Sequence, residues 1–491
     1  MKRIVLMVMV TVGLLPALWH LLQPGFFVTD DGDWMVIRFS AFHQELRSGQ
    51  FPVRWLNRLN NGYGYPVPTF LYPGFMYAAE IPHVLGLGFV ASVKTVMIVS
   101  VLAGFTGMYL WLSSKVSRSA AVCGSYIYAY HPYLLYDIYT RGSVGEVMAL
   151  GIVPLALWSI STKRYILLSA LYGVLILAHN TIALLFVPVL CLYHVVSMGW
   201  KRRVSWKNMG LSVLLGIGAS ASFWVPAVFE LGNTIFSTVS VSEWERYFIE
   251  GNRMYLIGYP GVALAIYAVV VAFSKKKNIS TELYIFGAIY LIGLLLSLKL
   301  SWPLWKLFPL ETFVQFPFRF VSYAVIAAPV MAGCVFDQIV RQKNLQQAFL
   351  AMSVVVIIGI SFPSFIPSER TMRKETYYST NEDTTTVKDE YMPRWAGVSP
   401  VRHTRERVTM IGPNTIQINT LYWPGFQVTV DGVDTPISYD NEFGLMRIVT
   451  PNENARVEIV FRETLIRRIA NGISLVSLAG LSYLWVRRII I

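Results

Sequence analysis

Apolar runs long enough to cross a bilayer recur along this chain, and short clusters of lysine and arginine fall between them. A soluble core has no use for repeated runs of ~18 or more apolar residues, whereas a membrane helix requires them. The runs occupy residues 4–22, 93–113, 119–136, 145–160, 208–228, 253–273, 281–298, 318–338, 346–362 and 469–486. Residues 165–199 are long enough for two short spans with a break near His179-Asn180. The basic clusters are Lys2-Arg3, Lys115 with Arg118, Lys163-Arg164, Lys201-Arg202-Arg203 with Lys207, Lys275-Lys276-Lys277, Arg341 with Lys343, and Arg487-Arg488. An alternating path through about 12 spans puts every cluster on one side, which the positive-inside rule makes the cytoplasm, with both termini there. The expected fold class is a polytopic α-helical membrane protein.

The net charge of +13 belongs to those clusters, in a chain that is 55% hydrophobic and 14% charged, so a nucleic-acid partner is not expected. Lys2-Arg3 and the following apolar run could also start a signal peptide. Gln23-Pro24-Gly25-Phe26-Phe27 offers no small-x-small cleavage pattern, and the first helix is expected to be retained. Cys123, Cys191 and Cys334 fall in or against spans and read as buried hydrophobes, with neither disulfide nor metal spacing. The lack of eukaryotic targeting signals fits a prokaryotic cell membrane.

Three long pieces are expected outside. In the first, residues 24–92, Met35, Phe39, Phe42 and Leu46 share one helical face while Arg38, His43, Gln44 and Arg47 fall on others. That pattern reads as an amphipathic helix lying in the interface. Gly62-Tyr63-Gly64-Tyr65-Pro66-Val67-Pro68 then breaks any helix. The second piece, residues 299–317, is short and aromatic. The third, residues 363–466, starts with polar sequence from Ser368 to Arg407 and continues in alternating runs at 415–419, 426–430, 445–449 and 457–461. With Asp431-Gly432 as a turn signal, it reads as a small extracytoplasmic β-sandwich. The expected division is a transmembrane module over 1–362, a linker plus β-domain over 363–466, and a final helix with a cytoplasmic tail over 467–491.

Ionisable residues collect at the external ends of the spans: Asp30, Asp31, Asp33, Glu80, Lys94, Asp137, Arg141, Glu146, Glu230, Lys299, Lys306 and Arg319. A transporter would be expected to carry charges or helix breaks near the membrane centre, so this distribution favours a site at the outer interface. Asp30, Asp31 and Asp33 crowd one another, and like charges raise pKa, which suits a general base. Asp33 reads best as the cap of the helix that begins near Trp34. Arg141, beside Gly142, could grip a phosphate or pair with Glu146 or Asp137. Arg319 could do the same or snorkel. His43 and His179 read as structural. The three aspartates could hold a divalent cation but do not specify one, so no cofactor is assigned. Walker, dinucleotide, metalloprotease and nucleophile-elbow motifs are absent.

The first loop reads Asp31-Gly32-Asp33-Trp34, Gly49-Gln50-Phe51-Pro52-Val53-Arg54-Trp55, Asn61-Gly62-Tyr63-Gly64-Tyr65-Pro66 and Phe70-Leu71-Tyr72-Pro73. It resembles membrane proteins labelled 6-pyruvoyl-tetrahydropterin-synthase-related, akin to YfhO-like proteins of the GT-C glycosyltransferase superfamily. Tyr139-Thr140-Arg141-Gly142 with Glu146, Phe223-Trp224-Val225-Pro226-Ala227 with Glu230, Gln315-Phe316-Pro317-Phe318-Arg319 and Tyr422-Trp423-Pro424-Gly425-Phe426 extend the likeness. The pterin label implies nothing here, since no zinc-binding histidine set is present. The resemblance implies transfer of a sugar from a polyprenyl-phosphate donor to an extracytoplasmic glycan, glycolipid or cell-wall polymer. It implies Asp31, or else Asp30, as base, because Asp30 stands where the family often has His. It implies Arg141 and Arg319 on the donor phosphate with Lys299 or Lys306 assisting, and Asp33, Arg38, His43, Glu146 and Glu230 in support. The competing readings are a lipid or polysaccharide transporter or flippase, and a non-catalytic envelope assembly protein.

Overall fold

The computed structural model describes residues 3–198, 203–239, 243–273, 280–340, 342–398, 406–452 and 455–490. Lys2, Lys201-Arg202, Lys275-Lys276-Lys277 and Arg341, which the alternating topology uses, lie outside the described residues. Helices of ten residues or more are α1 (Arg3–Leu22), α2 (Gly32–Arg47), α3 (Gly74–Val84), α4 (Phe89–Leu112), α5 (Arg118–Ala129), α6 (Val144–Ser161), α7 (Tyr165–Ala178) and α8 (Asn180–Met198). They continue as α9 (Arg203–Ala219), α10 (Ala221–Glu230), α11 (Tyr259–Phe273), α12 (Thr281–Ser297), α13 (Ser322–Ile339), α14 (Lys343–Ser361) and α15 (Leu465–Ile490).

Among the described residues, six helices are long and apolar enough to cross a bilayer, or eight if two bent pairs each make one span. Apolar runs outnumber such helices because several runs are broken. The run over 208–228 bends by 67° between α9 and α10, and that over 253–273 starts as a 3-10 turn, Gly251–Ile257, bent by 59° from α11. The run over 119–136 stops at Ala129, since Pro132 holds His131 extended (ψ 128°). It resumes over Pro132–Tyr136 and widens into a π-helical turn at Asp137–Arg141. The break at His179 falls where the sequence places it. Close helix approach uses small residues: a Cβ on Gly151 of α6 would lie 2.4 Å from the Ser100 carbonyl oxygen of α4.

The amphipathic pattern of the expected interfacial helix forms in part, with Gln44 and Arg47 exposed. α2 is a helix over the expected residues, but Met35 through Phe42 are buried without interruption, Arg38 included. Arg38 and Ser40 are covered by residues 375–392, the stretch expected to be a linker. Arg58 donates to the Ser379 and Tyr378 carbonyls, Ser40 Oγ donates to the Tyr378 carbonyl (2.6 Å), and the Asn61 N–H donates to the Glu382 carbonyl (2.8 Å). The residues just before this stretch and its last residue are tied to distant elements. Strand β1 (Phe26–Phe27) pairs antiparallel with β2 (Arg370–Thr371), and the Ile235 N–H donates to the Met392 carbonyl (3.0 Å).

The β unit comprises two three-stranded sheets. One has order β3 (Val408–Gly412), β4 (Thr415–Leu421), β7 (Leu445–Val449); the other has order β6 (Val433–Thr435), β5 (Phe426–Val430), β8 (Val457–Phe461). Ile416, Ile418, Met446 and Ile448 of the first sheet bury against Val428 and Val430 of the second, as period-two alternation requires. Asp431 and Gly432 both have positive φ (50° and 81°), the requirement of a tight β5–β6 hairpin turn. The unit joins the helical body through Leu421, whose N–H donates to the Tyr63 carbonyl (2.9 Å), and through Trp423, packed edge-on against Phe70.

Candidate functional site

The aspartates of the first loop are placed by main-chain bonds. The Asp30 N–H donates to the Thr140 carbonyl (2.9 Å) and the Asp31 N–H to that of Arg141 (2.8 Å). Contact between the two segments is close because Gly142 has φ 67°, and a Cβ there would stand 2.5 Å from Thr29 Oγ1 and 2.7 Å from the Gly32 Cα. Asp31 occupies the N-cap of α2, yet its side chain makes no capping bond. Thr29 Oγ1 accepts from the Gly32 N–H (2.9 Å) instead. Asp33 is therefore not the cap; it lies in the first turn, pairs with Arg373 (2.8 Å) and accepts from the Tyr378 hydroxyl (3.2 Å). Partial burial and then the charge of Asp31 push the Asp30 carboxyl up from its usual pKa, while Arg141 pulls it down.

Arg141 makes both of the ion pairs that the sequence offered it. Its Nη1 donates to Asp137 Oδ1 (2.5 Å) and Glu146 Oε2 (2.7 Å), and both carboxylates are fully buried. Tyr133 donates to Glu146 Oε1 (2.6 Å), and His179 Nε2 stands 4.0 Å from Glu146 Oε2. Tyr72 stacks on His179 (4.3 Å between ring centroids). The guanidinium of Arg141 lies over Phe318 (4.9 Å), Phe318 stacks on Phe316 (5.5 Å, 5°), and Arg319 lies over Phe316 (4.9 Å). An aromatic pair thus spaces two arginines whose charges would otherwise repel. Arg319 Nη1 donates to the Val314 carbonyl (2.9 Å) and Gln315 Oε1 (2.7 Å), and its buried Nε has no hydrogen-bond partner. Asp137 Oδ2 and His179 Nε2 are likewise buried without one.

Other sequence candidates stand elsewhere. Lys299 and Lys306, with side chains 70% and 50% exposed, face Glu250 (3.9 Å) and Glu245 (3.1 Å), and Lys306 lies over the rings of Trp244 and Trp302. His43 Nδ1 meets Glu80 (3.0 Å) between α2 and α3. Arg38 is buried and spends its donors on Thr385, through Oγ1 (3.0 Å) and the carbonyl oxygen. Glu230 is not a free acid: Arg467 of α15 grips it twice, at 2.8 and 2.7 Å. Among the described residues, no three His, Cys, Asp or Glu side chains gather into a metal-sized group.

Two groups at the site escape sequence reasoning. Tyr72 lies in the field of Asp31, Arg38, Arg141 and Arg319. Burial lifts the Glu390 carboxyl, within residues 375–392, to about 7, with Arg38 and Arg319 opposing and Asp31 adding. The available signal was Tyr391-Met392-Pro393-Arg394-Trp395, an apolar island within a polar stretch.

The sequence profile of the 6-pyruvoyl-tetrahydropterin synthase related domain, a membrane protein family, matches residues 72–368. The chain belongs to this family. Arg141, Glu146 and Arg319 lie inside the matched stretch, Asp30 and Asp31 before it, and Glu390 after it. No curated protein matches the sequence. Among solved structures, arabinofuranosyltransferase AftD from Mycobacteria is similar with a TM-score of 0.52 and 14% identity, over 77% of this chain and 28% of that one. ArnT from Cupriavidus metallidurans bound to undecaprenyl phosphate follows with a TM-score of 0.47 and 14% identity, over 77% of this chain and 68% of that one. The likeness to AftD is one of fold alone, and this chain spans 28% of AftD's length.

Proposed function

We propose that this protein is a GT-C-type glycosyltransferase that moves a sugar from a polyprenyl-phosphate donor to a glycan, glycolipid or cell-wall polymer at the outer face of a prokaryotic membrane. In this reading the first loop, residues 375–392 and the β unit are extracytoplasmic. The observation that carries the proposal is Asp31, uncommitted to a cap and bonded through its backbone to the Arg141 segment, whose guanidinium shares an aromatic pair with Arg319. Asp31 takes the proton of the acceptor hydroxyl as that oxygen bonds to the anomeric carbon. The bond from that carbon to phosphate breaks, and the polyprenyl phosphate leaves with the electron pair. Arg319 is the better phosphate partner, because Arg141 is already compensated by two carboxylates. Lys299 and Lys306 are left out of the site.

The test is transfer of radiolabelled sugar from an undecaprenyl-phosphate-linked donor to octyl glycosides by purified protein. Asp31→Asn should lower the rate by on the order of 10²- to 10⁴-fold with donor binding retained. Donor lipid crossing vesicles with no transfer to any acceptor would favour a transporter. Loss of function on deleting the β unit, with Asp31→Asn harmless, would favour an assembly protein.

A further inference from the structure

Among the described residues, the four most exposed large apolar ones are Leu85 (80%), Leu300 (78%), Val84 (76%) and Phe51 (75%). None of them lies in a helix long enough to span a bilayer. Val84 and Leu85 close α3 and lead into the span α4, which starts at Phe89. Leu300 follows α12, an apolar helix that ends at Ser297, and its loop runs to the span that starts at Pro317. Single apolar residues at a surface need no explanation, but these come in groups. Ile81 shares one helical face with Val84 and Leu85, and Leu307, Phe308 and Phe313 are exposed on the same loop as Leu300.

Both groups are held firmly from behind. At the first, the Gly86 N–H donates to the His83 carbonyl (2.9 Å) and the Leu87 N–H to that of Pro82 (3.1 Å). His83 stacks on Phe89 (4.3 Å) and meets Phe39 of α2 edge-on (5.6 Å), while Phe51 joins through Tyr77 of α3 (6.0 Å). At the second, two short helices, Trp302–Leu307 and Glu311–Val314, hang on the buried Trp305. Its ring stacks on Trp244 (5.4 Å), and its Nε1 donates to the Leu296 carbonyl (3.0 Å). Charge is turned away from both faces. Residues 81–89 contain no Asp, Glu, Lys or Arg. On the loop, Lys299 and Lys306 turn back to Glu250 and Glu245, and Glu311 keeps one carboxylate oxygen buried.

The two groups stand at the same end of the molecule. The first packs on α2, which starts at Asp31, and the second ends in Val314, whose carbonyl accepts from Arg319 (2.9 Å). Arg141 joins the two sides: its carbonyl accepts from the Asp31 N–H, and its guanidinium lies over Phe318. The exposed apolar surface of α12, at Ile292 and Leu295, continues into Leu300, so the loop extends a membrane-facing surface. A protein partner would use a rim of hydrogen bonds and charges that these faces lack, whereas lipid asks for none. We propose that residues 81–87 and 300–313 are seated in the lipid bilayer, at the boundary between hydrocarbon and headgroups. Together they fix the depth at which Asp31 and Arg319 stand. The inference holds whether the site transfers a sugar or moves a lipid.

The first experiment measures depth by fluorescence quenching in full-length protein reconstituted into phosphatidylcholine vesicles. Bimane is attached to Leu85→Cys and, separately, to Leu300→Cys, with the unmodified protein treated alike as the blank for Cys123, Cys191 and Cys334. Lipids carrying a nitroxide should quench both labels, more strongly with the nitroxide near the headgroup end of the acyl chain than near its methyl end. Aqueous iodide should quench them far less than it quenches bimane-glutathione in the same suspension. Iodide quenching equal to that of bimane-glutathione would place both tips in water and overturn the proposal. Shielding from both quenchers would mean that a protein, a second copy included, covers the tips, and would overturn it equally. Stronger quenching from the methyl end would do so too, since it marks the depth of a span.

The second reads the depth of the site from a label at Val28→Cys, an exposed position shortly before Asp30. Leu85→Glu combined with Leu300→Glu puts a charge on each tip and should drive both towards water. The Val28 label should then gain quenching by iodide and lose quenching by lipid nitroxide. Both leucines are exposed, so the unfolding midpoint in detergent should stay that of the unmodified protein. Should the charged pair lower it, Leu85→Ser with Leu300→Ser takes its place and should give the same shift in smaller measure. An unmoved Val28 label, while a label at Phe51→Cys has come within reach of iodide, would overturn the control of depth. Neither measurement uses a sugar donor or an acceptor. Absence of transfer would therefore defeat the transferase reading, while the quenching still decides where the tips sit.

Discussion

Two pairs of cations occupy equivalent places in the sequence, at the ends of apolar runs, and fare oppositely in the fold. Arg141 and Arg319 are buried on either side of the Phe316–Phe318 stack, and Arg141 binds two carboxylates from which water is excluded. Lys299 and Lys306 stand in water beside single glutamates, with Lys306 resting on tryptophan faces. The planar guanidinium, weakly hydrated and able to stack, is the cation that tolerates burial, whereas the ammonium stays hydrated at the surface. Position at a helix end thus says where a charge is tolerated, and surroundings decide what it can do there.

Replacement of each cation sharpens that contrast. Arg141→Met should be the most damaging, because it strands Asp137 and Glu146 without a counter-charge. Loss of one member of such a buried set costs about 3–5 kcal/mol, read as a lowered unfolding midpoint in detergent. Restoration of stability by adding Asp137→Asn and Glu146→Gln to that variant would confirm the cause, and an undiminished midpoint in Arg141→Met alone would break the comparison. Arg319→Ala comes next. It should weaken donor binding by on the order of 10- to 100-fold, measured with undecaprenyl phosphate, since a charge-assisted hydrogen bond is removed. Unchanged lipid affinity would return the phosphate to Arg141. The combined Lys299→Ala and Lys306→Ala variant should change least: no shift in midpoint beyond scatter, and less than about threefold in transfer, as exposed pairs contribute little. A larger loss would show that lysines at the surface matter as much as buried arginines.

Much of the architecture was legible in the sequence because bilayer helices and sheet strands write their period locally. The break at His179, four of the five strands over 415–461 and the Asp431-Gly432 turn all depend on neighbours in sequence. What was not legible is long-range. Burial of Arg38 depends on Thr385, and the commitment of Glu230 depends on Arg467, neither of which any local pattern announces. At the site, the Tyr139–Glu146 motif pointed to Arg141 and its acids, yet that Arg141 pairs with both at once needed the fold. Asp33 looked like a cap because aspartate at a helix start usually is one. Thr29 filled that role, and Arg373, from a segment that seemed to be a linker, took the carboxylate. Glu390 was hidden for the same reason: its stretch has the composition of a linker, yet Tyr378, Thr385, Thr386, Tyr391 and Met392 are buried in it.

The clamp between Glu230 and Arg467 also bears on how the molecule is made. The two residues are 237 positions apart, so Glu230 leaves the ribosome long before its guanidinium is synthesised. Through that interval the nascent chain carries a carboxylate at the end of α10 that α15 has yet to cover. The β unit is translated before α15, so the clamp closes only when α15 is in place. Chains stopped short of residue 467 keep an unpaired acid at that seam, a chemical mark that sets them apart from chains in which Arg467 is present.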